Sequence, residues 1–260
     1  MPQLRSCWLK PKLAAKPWVV GTFLTIPAPA MVELLGLAGF DFFIADGEHG
    51  AITPAQMEDL IRAAATTGIS PMVRAPQFDP VAVRLPLDLG AAGVHVPQVE
   101  SAAAAARAAR YARFYPEGER GLQPYVRAAS FRACPTEDFL AESNRQVMVV
   151  PHLEGLGGLQ DLTAMVTTPG VDVCFFGPYD LSQALGIPGQ VTDPRIDAAI
   201  TAAVAACGPG TVIGAYADSP QAAARRIRQG VRYVALSLDT AMVLREATSV
   251  RHQLDDLLKL

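Results

Sequence analysis

Phe40-Asp41-Phe42-Phe43-Ile44-Ala45-Asp46-Gly47-Glu48-His49-Gly50 is a short apolar run that breaks into two acids and a histidine. The run 40–45 has the length and the aromatic, β-branched character of a strand buried on both faces, as parallel strands under helices are. Just downstream, Thr53-Pro54 reads as a helix N-cap followed by proline at the first helical position. The helical stretch 54–67 that follows stops at Gly68. Strand, charged strand end and helix make one βα unit.

The same unit recurs in both directions. Strand-like runs lie at 19–24, 40–45, 69–73, 93–96, 147–153, 171–176, 211–215 and 231–236. Helical stretches lie at 28–38, 54–67, 80–89, 101–112, 156–168, 196–207, 220–229 and 241–260. Ser219-Pro220 repeats the helix-start signal, and Gly39, Gly90 and Gly230 stand where helices should stop. Strict alternation implies a parallel sheet. Eight units favour closure into an α/β (β/α)8 TIM barrel, and 260 residues match the ~250 of one such barrel. No linker divides the chain, so 1–260 is expected to be a single domain. One segment breaks the rhythm: 113–145 is polar and rich in Arg, Pro and Gly, and is expected to be a functional or mobile insertion.

Composition narrows the function. The chain is 50% hydrophobic and 18% charged, so it can bury a large core. With a net charge of −3 and no basic block, no nucleic-acid partner is expected. Cys7, Cys134, Cys174 and Cys207 are scattered, which fits thiols in a reducing cytosol. The N-terminus lacks the apolar core of a secretory leader. No segment is both long and apolar enough to span a bilayer; the uncharged stretch 18–32 is broken by Pro27 and Pro29. A cytoplasmic protein without a membrane partner is expected.

Active sites of such barrels gather at the C-terminal ends of the strands. There the runs lead into Asp46, Glu48 and His49, into Arg74, into His152 and Glu154, and into Gly177-Pro178-Tyr179-Asp180. Glu154 and Asp180 lie one unit apart, on neighbouring strands spaced about 5 Å. They can share one ion, in an oxygen-rich site suited to Mg2+ or Mn2+, with Co2+ possible and positions left for a bidentate substrate. Either acid alone could equally be a helix N-terminal carboxylate stabilised by the dipole. His49 can serve as a general base or be a surface loop histidine. Arg74, too costly to bury unpaired, meets either a protein carboxylate or a substrate anion. Asp88 sits near a helix C-terminus, where an acid gains nothing from the dipole. His152, two residues before Glu154, shares its strand face; it orients substrate, joins the metal shell or is a satisfied core histidine. No lysine stands at these strand ends, which argues against Schiff-base chemistry. The loops at 216–218 and 237–239 lack a glycine-rich phosphate cradle, and no nucleotide cofactor is expected.

Together, Phe42-Phe43-Ile44-Ala45-Asp46-Gly47-Glu48-His49, Val73-Arg74, Leu153-Glu154 and Phe176-Gly177-Pro178-Tyr179-Asp180-Leu181-Ser182 resemble the HpcH/HpaI aldolase family, in particular its metal-dependent class II pyruvate aldolases. Tyr115-Pro116, Arg120-Gly121, Arg127-Ala128-Ala129-Ser130 and Leu238-Asp239-Thr240 support the match, which covers nearly the whole chain. The resemblance implies a barrel whose last helix swaps between neighbours in a hexamer built as a dimer of trimers. It implies a divalent metal on Glu154 and Asp180, a base at His49 assisted by Asp88, and Arg74 on the keto oxygen. Backbone N–H groups around Gly177 and Pro178 would line the carboxylate of a 2-oxo acid. Asp46, His152, Tyr179 and Arg127 complete the expected substrate contacts. The implied reaction makes or cleaves 4-hydroxy-2-oxo acids through a pyruvate-type enolate and an aldehyde. Oxaloacetate decarboxylation, macrophomate-synthase-like chemistry and a non-catalytic 2-oxo-acid-binding barrel are the rivals. Two departures stand out. His152 replaces the glutamine usual in the family, and Leu122-Gln123-Pro124-Tyr125 replaces a smaller stretch expected to face the acceptor aldehyde.

Overall fold

The computed structural model of the chain describes residues 7–208 and 210–258. The first six residues, on which the expected absence of a secretory leader partly rests, and the last two of the expected 241–260 helix lie outside the described residues. The strands are β1 (Val19–Leu24), β2 (Phe42–Asp46), β3 (Ser70–Arg74), β4 (Gly93–Val96), β5 (Met148–Leu153), β6 (Val173–Phe176), β7 (Val212–Ala217) and β8 (Tyr233–Leu238). They pair in parallel in sequence order, and β8 closes on β1. The (β/α)8 barrel read from the alternation is what the chain forms.

The helices are α1 (Lys10–Ala15), α2 (Pro29–Leu37), α3 (Pro54–Thr67), α4 (Pro80–Leu89), α5 (Ala102–Ala112), α6 (Thr136–Gln146), α7 (Leu156–Gln160), α8 (Leu162–Val166), α9 (Pro178–Ala184), α10 (Pro194–Ala206), α11 (Pro220–Arg228) and α12 (Asp239–Leu258). Thr53 caps α3 in a reciprocal capping box with Gln56, and Gly68 and Gly90 end α3 and α4 with left-handed backbones. The single helix expected over 156–168 is instead two short ones. It breaks at Asp161, whose carboxylate turns away to accept the N–H of Ala102 at 2.6 Å at the start of α5.

Period two sorts the strand residues. Phe23, Phe42, Ile44, Met72, Met148, Val150, Phe175 and Tyr233 fill the barrel interior. Phe43, Val73, Val94, Leu153, Phe176 and Val234 face the helices. Gly21 makes room inside: a Cβ there would lie 2.2 Å from the Phe42 ring. The polar segment 113–145 is no bare loop. It carries a 3-10 turn (Arg127–Arg132), α6 and its own small core of Phe114, Ala128, Ala129 and Phe139. The Arg120 guanidinium lies 4.5 Å over the Phe114 ring.

At the other end of the chain, Asp239 is fully buried. It accepts the backbone N–H groups of Thr25 and Ile26, fastening the start of α12 to the end of β1. Beyond that anchor α12 leaves Val243, Leu244, Val250, Leu254 and Leu257 exposed. Among the described residues no helix is long and apolar enough to cross a membrane.

Candidate active site

Strands β2 and β3 run one residue beyond their apolar runs, so Asp46 and Arg74 are strand residues held in register opposite each other. The same alternation that buries Phe42 and Ile44 points Asp46 inward, and that which buries Met72 points Arg74 inward. They meet a cavity of about 430 Å³ at the C-terminal mouth, also lined by Phe23, His49, His152, Glu154, Phe175, Gly177, Pro178, Tyr179, Asp180 and Tyr216.

Arg74 is gripped from one side. Its Nε donates to Asp46 Oδ1 at 2.9 Å and its Nη2 to Oδ2 at 2.6 Å, a bidentate pair. Nη1 lies 3.0 Å from Glu48 Oε2, and the guanidinium sits 4.8 Å from the centre of the Phe23 ring. Of the two partners left open by sequence, a protein carboxylate is therefore one that Arg74 has. Burial works against ionisation of Asp46. The hydrogen bonds and charge of Arg74, with the N–H groups of His49 and Glu48, outweigh it and hold the carboxyl below the usual range. The sign follows. A depressed folded pKa stabilises the protein above the ordinary carboxylate pKa and is lost as pH falls through the lower folded value. Asp46→Asn should therefore cost about 3–5 kcal/mol at neutral pH, the scale for breaking a buried pair. The gap in unfolding midpoint between the two proteins should close in acid, and a midpoint gap constant with pH would contradict this account.

Glu48, to which the sequence reading assigned no role, is pushed the other way. Burial raises its pKa, the negative charge of Glu154 adds to that, and Arg74 opposes it. His49 is largely exposed, with Nε2 4.0 Å from Glu48 Oε2. A carboxyl that resists ionisation thus stands between the exposed imidazole and the arginine.

Across the cavity, Glu154 Oε1 accepts the Gln98 N–H at 2.6 Å and Oε2 lies 3.3 Å from His152 Nδ1. Gln98 reaches it with a left-handed backbone (φ 57°), a strained conformation for a side-chain-bearing residue. Burial would raise the Glu154 pKa, but the His152 contact, the Gln98 N–H and the Arg74 charge bring it below the usual range. Asp180 stands in the first turn of α9 with no hydrogen-bond or ion-pair partner among the described residues. Both acids face the space above Gly177. A Cβ there would lie 3.2 Å from Glu154 Oε2 and 3.5 Å from Asp180 Oδ2. Among the described residues no three or more His, Cys, Asp or Glu side chains form a metal cage. The pair is open, with two carboxylates on one side and cavity on the other.

Other expected members fall elsewhere. Asp88, in the last turn of α4, pairs with Arg120 at 2.7 Å and does not line the cavity. Arg127 donates to the Leu89 carbonyl at 3.2 Å, and Tyr125 is exposed; neither lines the cavity. Tyr179 does line it, with its hydroxyl donating to Asp218 at 3.0 Å. The described lysines, Lys10, Lys12 and Lys16, lie on or beside α1; Lys12 donates to the Asp41 and Gly68 carbonyls, just before β2 and β3, at the opposite end. None of these lysines lines the cavity.

The profile of the HpcH/HpaI aldolase/citrate lyase family matches residues 20–246. The chain belongs to that family. It is an enzyme of the aldolase/lyase type. A 5-keto-4-deoxy-D-glucarate aldolase from Salmonella paratyphi A is 34% identical over 231 residues, covering 88% of this chain and 90% of its own. The HpcH/HpaI aldolase of Desulfitobacterium hafniense DCB-2 superposes with a TM-score of 0.89 at 30% identity, covering 96% and 97% of the two chains. Citrate synthase SbnG superposes at 0.87 with 28% identity, covering 98% of this chain and all of that one. Fold and family thus agree with the strand-end motifs. The membership speaks against the rival reading of a non-catalytic barrel.

Proposed function

We propose that this aldolase joins and cleaves 4-hydroxy-2-oxo acids through the enolate of a pyruvate-type 2-oxo acid and an aldehyde, with a divalent cation on Glu154 and Asp180. The observation that carries the reading is an arginine locked by Asp46 across one cavity from two converging carboxylates. The donor set fits a hard cation: both ligands are carboxylate oxygens, Asp180 has no other partner among the described residues, and both acids face the space above Gly177. Mg2+, Mn2+ or Co2+ bound there would supply Lewis-acid polarisation of the keto group.

The chain's own residues do the rest. A guanidinium has five N–H groups. Arg74 spends two on Asp46 and one on Glu48, leaving two for the developing enolate oxygen. Held rigid, they stabilise that charge without reorganising. His49 at the rim takes the proton from the donor carbon, directly or through water. Tyr179, Gly177 and Pro178 wall the carboxylate end of the substrate. Within one chain Asp88 is tied to Arg120, so its help to His49 would come from a second copy. The exposed apolar side chains of α12 support such a homo-oligomer, a hexamer in the family reading; light scattering checks it. The unbridged thiols of Cys174 and Cys207 support a reducing, cytoplasmic setting.

Aldol cleavage should vanish on EDTA treatment and return with Mg2+ or Mn2+. Full activity after rigorous metal removal would overturn the cation, and turnover of oxaloacetate alone, without any aldehyde reaction, would favour the decarboxylase. Gly177→Ala would set a Cβ 3.2 Å from Glu154 Oε2, so that carboxylate must shift by a few tenths of an ångström, and Mn2+ binding should weaken by up to about tenfold, as disturbances around metal ligands do; a direct Mn2+ titration measures it.

A further inference from the structure

A row of hydrogen bonds crosses the barrel interior from β8 to the cavity. Tyr233 Oη lies 2.8 Å from His95 Nε2, and His95 Nδ1 lies 2.9 Å from His152 Nε2. The row ends at His152 Nδ1, 3.3 Å from Glu154 Oε2. Tyr233 and His95 are fully buried and His152 almost so. Aromatic rings surround them: Tyr233 stacks on Phe42 at 4.2 Å and His152 on Phe175 at 4.8 Å. Unpaired polar groups in such an interior cost about 1–3 kcal/mol each. Here every ring nitrogen has one partner.

The hydrogens can be placed from the ends of the row. A carboxylate only accepts, so His152 carries its hydrogen on Nδ1. In a neutral ring Nε2 then accepts, so His95 carries its hydrogen on Nδ1 as well. His95 Nε2 accepts in turn, and the phenol of Tyr233 donates. Burial disfavours the charged form of both His95 and Tyr233, which keeps the imidazole neutral and the phenol protonated. All three bonds then point the same way, toward Glu154.

We infer that His95 and Tyr233 are positioning residues for this active site, fixing His152 as a one-way donor that holds the Glu154 carboxylate in place. The functional consequence rests on the reading of Glu154 as a cation ligand. Both nitrogens of His152 are used, so it has no lone pair for a metal and no hydrogen for substrate. Of the roles the sequence left open for His152, the row supports the satisfied buried histidine, at a position that also lines the cavity. Glu154 is gripped on both oxygens, by the Gln98 N–H on one and His152 on the other. The glutamine usual in the family could make the same two bonds with its carboxamide. A histidine needs His95 to choose its tautomer.

15N NMR of the metal-free protein at neutral pH tests the row directly. Both His95 and His152 are expected to carry hydrogen on Nδ1, the reverse of the form that free histidine prefers. Cutting the row with His95→Leu should release the tautomer of His152 and weaken Mn2+ binding by about tenfold or more. Tyr233→Phe, the gentler variant should His95→Leu fail to fold, should move both readouts in the same direction. His152→Gln should bind Mn2+ within about threefold of the parent, whereas His152→Leu should show the loss expected when a ligand's outer partner is removed. An Nε2–H or doubly protonated His152 in the parent, or unchanged Mn2+ affinity in both row-cutting variants, would overturn the inference. A parent protein with both Nδ1–H forms but no Mn2+ binding would uphold the row and overturn the cation reading instead.

Discussion

Glu154→Gln should lower turnover by about a thousandfold while leaving the barrel folded. Several kcal/mol of transition-state charge stabilisation are at stake when a Lewis acid loses a ligand, and each 1.36 kcal/mol is about tenfold in rate. The amide keeps the shape and one acceptor oxygen, but Glu154 accepts from two donors, the Gln98 N–H and His152. One of these loses its partner, at about 1–3 kcal/mol. That predicts a fall of a few degrees in unfolding midpoint, on a scale of about 2–4 °C per kcal/mol for a chain of this size. Steady-state aldol cleavage and thermal unfolding on the same preparation separate the two effects. Near-parental turnover in a well-folded Glu154→Gln protein would remove Glu154 from the chemistry.

Arg74→Lys should be nearly as damaging to the reaction, by about 10²–10³-fold, the scale for deleting a preorganised donor at a developing oxyanion. The charge survives, but an ammonium cannot grip Asp46 with two parallel N–H bonds, reach Glu48 and still present two donors to the enolate. Because the lost interaction is made chiefly in the transition state, kcat and kcat/KM should fall together. A rise in KM with kcat unchanged would reassign Arg74 to simple substrate binding. Arg74→Leu should add a stability loss of about 3–5 kcal/mol, since it strands the Asp46 carboxylate without its cation. The lysine variant should lose less, and the difference between the two isolates the electrostatic part.

Much of the site was legible because the barrel puts its chemistry where apolar runs end. Asp46, Arg74, Glu154 and Asp180 each follow or close a run that must be buried, and charged residues recurring at that point are hard to explain as core. The absence of lysine at those ends was equally readable. What could not be read was who holds whom. Asp46, expected to touch substrate, does line the cavity, and its oxygens also accept from Arg74 and the following backbone, which no local pattern showed. Gln98 gave no signal at all, since its contribution is a backbone N–H aimed by an unusual φ. His95 did carry one: it is a polar residue at an inward position of an otherwise apolar strand. Its partners His152 and Tyr233 are 57 and 138 residues away, beyond any local pattern.

Local physics written along the chain was enough for the type of unit, its repetition and its order. Period two in the strands, N-caps with proline and glycine at helix ends are all decided within a few neighbouring residues. Which side chains meet was decided only by closure. Pairing β8 with β1, Tyr233 opposite Val19, returns the last strand to the first. It lets a tyrosine from β8 reach a histidine on β4 across the filled interior. Strand stagger and tilt in a closed barrel are collective properties. They depend on all eight strands at once, so no single stretch of sequence contains them.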